Sequence, residues 1–145
     1  MLNYLNVNLK NDIDFINFPE HYISILKKIV LSTLKSENIN KYLINFVIIN
    51  DVEIKKLNTR YKNNKHITDV ISFLLIPKFF IGDIYISEKH SKSQAKKYCN
   101  TWEKELAYLV IHGTLHLCGY TDYDVINRKK MFEKQDCIFK NFFCN

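Results

Sequence analysis

No apolar run in this chain approaches the roughly 18 residues that a membrane-spanning helix needs. Its first residues, Met1 to Asn6, show neither the basic head nor the small-residue cleavage site of a secretory signal, so the expected location is the cytoplasm. The four cysteines, at positions 99, 118, 137 and 144, form no CxxC pair and no disulfide framework, which suits a reducing compartment. Arginine is nearly absent: of 21 basic residues only Arg60 and Arg128 are arginines. That bias, with plentiful asparagine and isoleucine, resembles drift in an A+T-rich genome, so the net charge of +6 argues only weakly for a polyanionic partner. Internal repeats, low-complexity linkers and a second-domain boundary are also missing. What remains is 145 residues, 47% of them hydrophobic and 25% charged. Such a chain is expected to fold as a single domain over 1–145, burying about two thirds of its unfolded surface.

Periodicity places the elements. Tyr4 to Leu9 alternates Leu5, Val7 and Leu9 with asparagines, the period of a half-buried strand, and a polar turn follows. Pro19 suits a first helical position, after which Tyr22, Ile25, Leu26, Ile29 and Thr33 recur at helical spacing. Leu43 to Ile49 is short, β-branched and aromatic, hence a second strand. Asn50 or Asp51 caps a helix running to about Tyr61, with Ile54, Leu57 and Tyr61 inward and Lys55, Lys56, Arg60 and Lys62 outward. Val70 to Ile76 is a strand stopped by Pro77, and Ile81 to Ile86 is another. Too few residues join these two for a helical crossover, so they pair antiparallel. Ser87 caps a polar helix to about Cys99. Asn100 or Thr101 caps the next, and a capping box there requires Asn100, which alone has a glutamate three residues on. From Asp124 a last amphipathic helix runs towards Phe142, using Ile126, Met131, Phe132, Ile138 and Phe139.

The chemistry concentrates in His112-Gly-Thr-Leu-His116-Leu-Cys-Gly119-Tyr-Thr-Asp122. Histidines four apart on a helix lie one above the other, so both rings reach one point. Gly119 comes where a helix ends by letting a glycine turn left-handed, and three residues later Asp122 offers a carboxylate. Two imidazoles and a carboxylate leave a coordination position open, as a catalytic zinc requires. The stretch Leu106 to Leu117 is apolar almost all round and reads as a buried central helix, where bare imidazoles need partners.

The general-base glutamate of the zinc-peptidase motif HExxH is replaced by Gly113, which disfavours peptide hydrolysis by that route. Glu105 falls about two turns before His112 on a similar face, and reads more simply as a carboxylate at a helix start. His21, His66 and His90 have no partner at ligand spacing and read as surface residues. Between Leu57 and Phe73 the chain gathers polar and basic groups. There Arg60, Lys62 and Lys65 suit phosphate, and Thr68, Asp69 and Ser72 suit orientation of a substrate or a ligand. The competing reading is a turn in which Thr68 and Asp69 bond their own backbone.

In three blocks the chain resembles the YbeY family of bacterial metal-dependent endoribonucleases, which act in ribosomal RNA maturation and ribosome quality control. The blocks are Leu57-Asn58 through Thr68-Asp69-Val70-Ile71-Ser72-Phe73, then Gly82-Asp83-Ile84, then His112 to Tyr120. The resemblance implies an α+β fold, a mixed four-stranded sheet packed with about five helices, and a cleft holding one zinc ion. It carries His112 and His116 onto the first two metal ligands. The family's third ligand is a histidine, and here that position is Asp122, with Asp124 a nearby rival better suited to an N-cap. Aspartate remains a competent zinc ligand, and its negative charge makes the metal a weaker acid towards bound water. Where the family carries an arginine, this chain has Lys62, which keeps the charge and loses the bidentate fork; Arg60 lies two residues earlier. Ile67 replaces a common proline. The expected activity is cleavage of single-stranded RNA, with ribosomal RNA and the small ribosomal subunit as partners, no membrane, and the nucleophile left open between water and the RNA's own 2′-hydroxyl. The alternatives are a ribosome-associated RNA-binding factor with little catalysis, or another zinc hydrolase such as a peptidase.

Overall fold

The computed structural model describes residues 11–62 and 70–143. Its sheet has four strands, β1 (Asp12–Ile16), β2 (Leu43–Ile49), β3 (Val70–Ile76) and β4 (Ile81–Ser87), in the spatial order β1-β2-β4-β3. β1 and β4 each pair parallel with β2, and β3 pairs antiparallel with β4. The helices are α1 (Glu20–Ser36), α2 (Asp51–Lys62), α3 (Glu88–Lys97), α4 (Trp102–Leu117) and α5 (Val125–Phe143). A mixed four-stranded sheet with five helices is the α+β architecture expected. A 3-10 turn, Pro77–Phe79, joins β3 to β4, too short to cross the sheet, so the two strands run antiparallel.

The sheet is covered on both faces, unequally. Ile44, Phe46 and Ile48 of β2 and Ile84 and Ile86 of β4 pack with the apolar sides of α1 and α4 into the main core. On the opposite face Ile49, Ile54 and Ile71 form a smaller cluster beneath α2. Period-two alternation explains the division, since successive side chains of a strand point to opposite faces. α4 is the centre of the assembly: it packs against α1, α3, α5, β3 and β4. Ten of its sixteen residues are buried, which accounts for its lack of a polar face.

Several local readings are corrected. The predicted strand Tyr4 to Leu9 lies outside the described residues, and β1 occupies what read as a polar turn. Its aspartates, Asp12 and Asp14, point outward while Ile13 and Phe15 are buried. Aspartate is a poor strand former in general, but on an edge strand an outward charge costs little and discourages pairing with another chain. Pro19 is the N-cap of α1, one residue before the helix proper. Asn50 caps α2, accepting from the Glu53 N–H. Thr101 caps α4, and Asn100 instead closes α3, its N–H donating to the Ala95 carbonyl after the left-handed Cys99 (φ 55°). The capping box therefore does not form. On α5 the inward stripe is Met131, Gln135 and Ile138, while Ile126 is 80% exposed. Val125, at the start of α5, is 75% exposed as well.

Candidate metal centre

α4 ends at its own site. The Gly119 N–H donates to the His116 carbonyl and the Tyr120 N–H to the Leu115 carbonyl, each at 3.0 Å, with Gly119 at φ +102°. These paired bonds satisfy the last carbonyls and reverse the chain. The reversal brings Asp122 back over the helix, where its Oδ2 stands 3.7 Å from His112 Nε2 and 3.7 Å from His116 Nε2. The two Nε2 atoms are 3.0 Å apart. The three side chains are partly buried, and their donor atoms form a group able to hold a metal ion.

The other nitrogen of each ring fixes its tautomer. His116 Nδ1 faces the Tyr120 carbonyl at 3.0 Å, and a carbonyl only accepts, so Nδ1 carries the proton. His112 Nδ1 faces Gln135 Oε1 at 2.9 Å. Gln135 is fully buried, and its amide N–H2 donates to the Tyr108 carbonyl, which orients Oε1 towards the histidine. In the neutral rings both Nε2 lone pairs therefore face each other across 3.0 Å beside a carboxylate. Such an arrangement is repulsive until a cation lies between the donors. Tetrahedral zinc with bonds of about 2.0–2.1 Å sets its donors about 3.3 Å apart. The observed 3.0, 3.7 and 3.7 Å bracket that spacing, so the donor set fits.

The surroundings hold this geometry from several elements. Ser72 of β3 donates to the Gly113 carbonyl at 2.9 Å, between the two histidines, so it anchors the helix that carries them. A Cβ at Gly113 would lie 2.8 Å from Ile84 Cγ2 and 3.1 Å from Ser72 Oγ. Position 113 faces the sheet at van der Waals contact, and the base of a zinc peptidase has no room there. Arg128 Nε donates to the Asp122 carbonyl at 3.3 Å, tying the ligand's backbone to α5. Asp124 is turned away: its carboxylate accepts from the Asn127 N–H at 2.8 Å as the N-cap of α5, and that bond holds its carboxyl below the usual range.

A cleft of about 690 Å³ leads from His112 along α4, lined by Asp122, Phe132, Tyr108, Lys104 and Tyr98 among others. Glu105 also lines it and is only 7% exposed, so this helix-start carboxylate faces the cleft as well. Burial, followed by the nearby Asp136, pushes the Tyr108 phenol up to about 12, so it stays protonated at neutral pH.

Of the residues singled out in the sequence, the structure brings together His112, His116 and Asp122 and leaves others apart. Arg60 is exposed near the end of α2, on the other face of the sheet, and among the described residues no part of α2 lines the cleft. Lys62 ends α2, and its side chain lies outside the described residues, as do Lys65, His66, Ile67, Thr68 and Asp69. His21 is exposed, and His90 is half-buried rather than a surface residue. Gln135 and the Tyr120 carbonyl were missed. A glutamine within the apolar stripe Met131–Ile138 is a signal of a buried polar role, but nothing in its spacing points to His112.

Comparison with known proteins agrees in one direction. The family described as Endoribonuclease YbeY matches residues 8–143. An Endoribonuclease YbeY from Endomicrobium trichonymphae is 60% identical over 133 residues, covering 92% of this chain and 94% of that protein. Another, from Thermotoga petrophila, is 39% identical over 107 residues, or 72% and 71% of the two chains. The solution structure of TM1509 from Thermotoga maritima superposes with a TM-score of 0.66 at 32% identity, covering 91% of this chain and 89% of that one.

Proposed function

The chain belongs to the YbeY endoribonuclease family, and from that premise we propose that it is a zinc-dependent endoribonuclease directed at single-stranded RNA. In this reading it acts in small-subunit ribosomal RNA 3′-end maturation and ribosome quality control. The observation that carries the metal role is the pair of Nε2 lone pairs, each fixed by an acceptor on its Nδ1, facing one another beside Asp122.

His112, His116 and Asp122 would hold one zinc ion. When bound, zinc supplies Lewis-acid polarisation of a phosphodiester and acidifies water. The protein's share is placement. Gln135 and the Tyr120 carbonyl hold the proton on each Nδ1 and turn each Nε2 towards the shared point, an arrangement that raises ligand basicity. Asp122 adds a negative charge where the family resemblance implies a histidine, which offsets part of the ion's positive charge. Lys62, at the end of α2, is assigned to phosphate contact; Arg60, exposed on the other face of the sheet, is not.

The test is cleavage of a labelled single-stranded RNA by purified protein, with and without chelator, using His112→Ala as control. Chelator and substitution are each expected to abolish cleavage, and re-addition of zinc to restore only the native chain. Undiminished cleavage in chelator would overturn the metal role. A cyclic phosphate on the product identifies the 2′-hydroxyl as nucleophile, and 5′-phosphate with 3′-hydroxyl ends identify water.

A further inference from the structure

The cleft extends well past the metal ligands, and its far end has a different chemistry. On α4 it runs from His112 back to Lys104, eight residues, or roughly 12 Å at about 1.5 Å per residue. At that end stands Tyr98, the C-cap residue of α3, a cleft-lining aromatic that is nonetheless 61% exposed. Lys97 lies over its ring at 5.4 Å from the centroid, and Lys104, which also lines the cleft, holds its ammonium 5.9 Å from the centre of the Phe143 ring. Between this corner and His112 the wall carries Glu105, Tyr108 and Asp136, with Tyr108 bonded to Asp136 at 3.3 Å. Those carboxylates repel phosphate, so a polyanion can follow the cleft only with its backbone along the lysine-bearing rim and its bases turned inward.

We infer that Tyr98 is a stacking platform for a nucleobase a few nucleotides from the scissile bond, with Lys97 and Lys104 meeting the backbone at that position. An exposed aromatic beside cations in a groove is the pattern by which proteins hold single strands without reading sequence, because every base has a face to stack. A paired base has both faces occupied by its neighbours, so the platform selects unpaired RNA. The inference rests on the nuclease reading of the metal centre and adds to it a binding position that the metal does not supply.

The experiment is a length series of single-stranded RNAs with one fixed cleavable bond, extended on either side and assayed with zinc-loaded protein. Extension on one side only should lower KM once the strand reaches the α3–α4 corner. Tyr98→Ala should erase that gain, raising KM for long strands by roughly 5- to 150-fold, the value of one stacked base. Its kcat and its zinc affinity should match the native chain, as should its KM on strands too short to reach. Tyr98→Phe should keep the gain, and an abasic nucleotide at the same position should reproduce its loss in the native chain. Equal length dependence in native and Tyr98→Ala proteins, or no effect of the abasic nucleotide, would overturn the platform. Should the zinc-loaded native chain cleave nothing, the nuclease reading fails; the same strands in an equilibrium binding assay still decide the platform through Tyr98→Ala.

Discussion

At the scale of single residues, the centre depends on side chains that never touch the ion's position directly. Gln135 is the clearest: fully buried, it accepts from His112 and donates to the Tyr108 carbonyl. Gln135→Leu keeps the volume and removes the acceptor, so zinc affinity is expected to fall about 10- to 100-fold, read by competition with a chromophoric chelator. Gly113→Ala tests the close approach of α4 to the sheet. Its Cβ would meet Ile84 Cγ2 at 2.8 Å, and overpacking of that kind costs about 1–3 kcal/mol. A urea melt measures it, and an unchanged midpoint would contradict the contact. These two residues also mark the limit of the sequence. His112, His116 and Asp122 were legible because one helical turn and one glycine reversal bring them together locally. Gln135 was not, since its meeting with His112 depends on how α5 docks on α4, which no local spacing encodes.

The elements were mostly legible for the same reason. Strands β2, β3 and β4 and helices α2 to α4 follow from hydrophobic period and caps that act within a few residues. β1 was misread because its aspartates obey a rule of position, the sheet edge, rather than of propensity. The start of α5 was placed correctly at Asp124, while its buried stripe was set too early, because Ile126 is apolar yet 80% exposed. The Asp124 cap has a pH signature. The Asn127 N–H holds its carboxyl below the unfolded value, so the cap is at full strength above the ordinary aspartate range and is lost as pH falls through the lowered pKa. Asp124→Asn, which keeps a capping acceptor without the charge, should therefore lose less stability than the native chain on acidification from neutral pH to about pH 3. Thermal melts at both pH values check this, and an identical acid sensitivity in the two proteins would count against the cap.

For the whole molecule, the core and the metal centre are expected to be separable. α4 is wedged among three helices and two strands, and its histidines are already held by Gln135 and the Tyr120 carbonyl. Chelation should therefore leave the helical circular dichroism intact while removing activity, unlike a small zinc domain whose fold is its metal site. In the proposed function His112, His116 and Asp122 grip one ion on which RNA cleavage depends. The most direct measurement titrates metal-free protein with zinc and follows RNA cleavage at every ratio, for the native chain and for Asp122→Ala. Saturation is expected at one ion per chain, with cleavage rising in step with occupancy and a large loss of both affinity and cleavage in Asp122→Ala. Full cleavage by the metal-free chain, or zinc held equally tightly without the Asp122 carboxylate, would contradict this metal role.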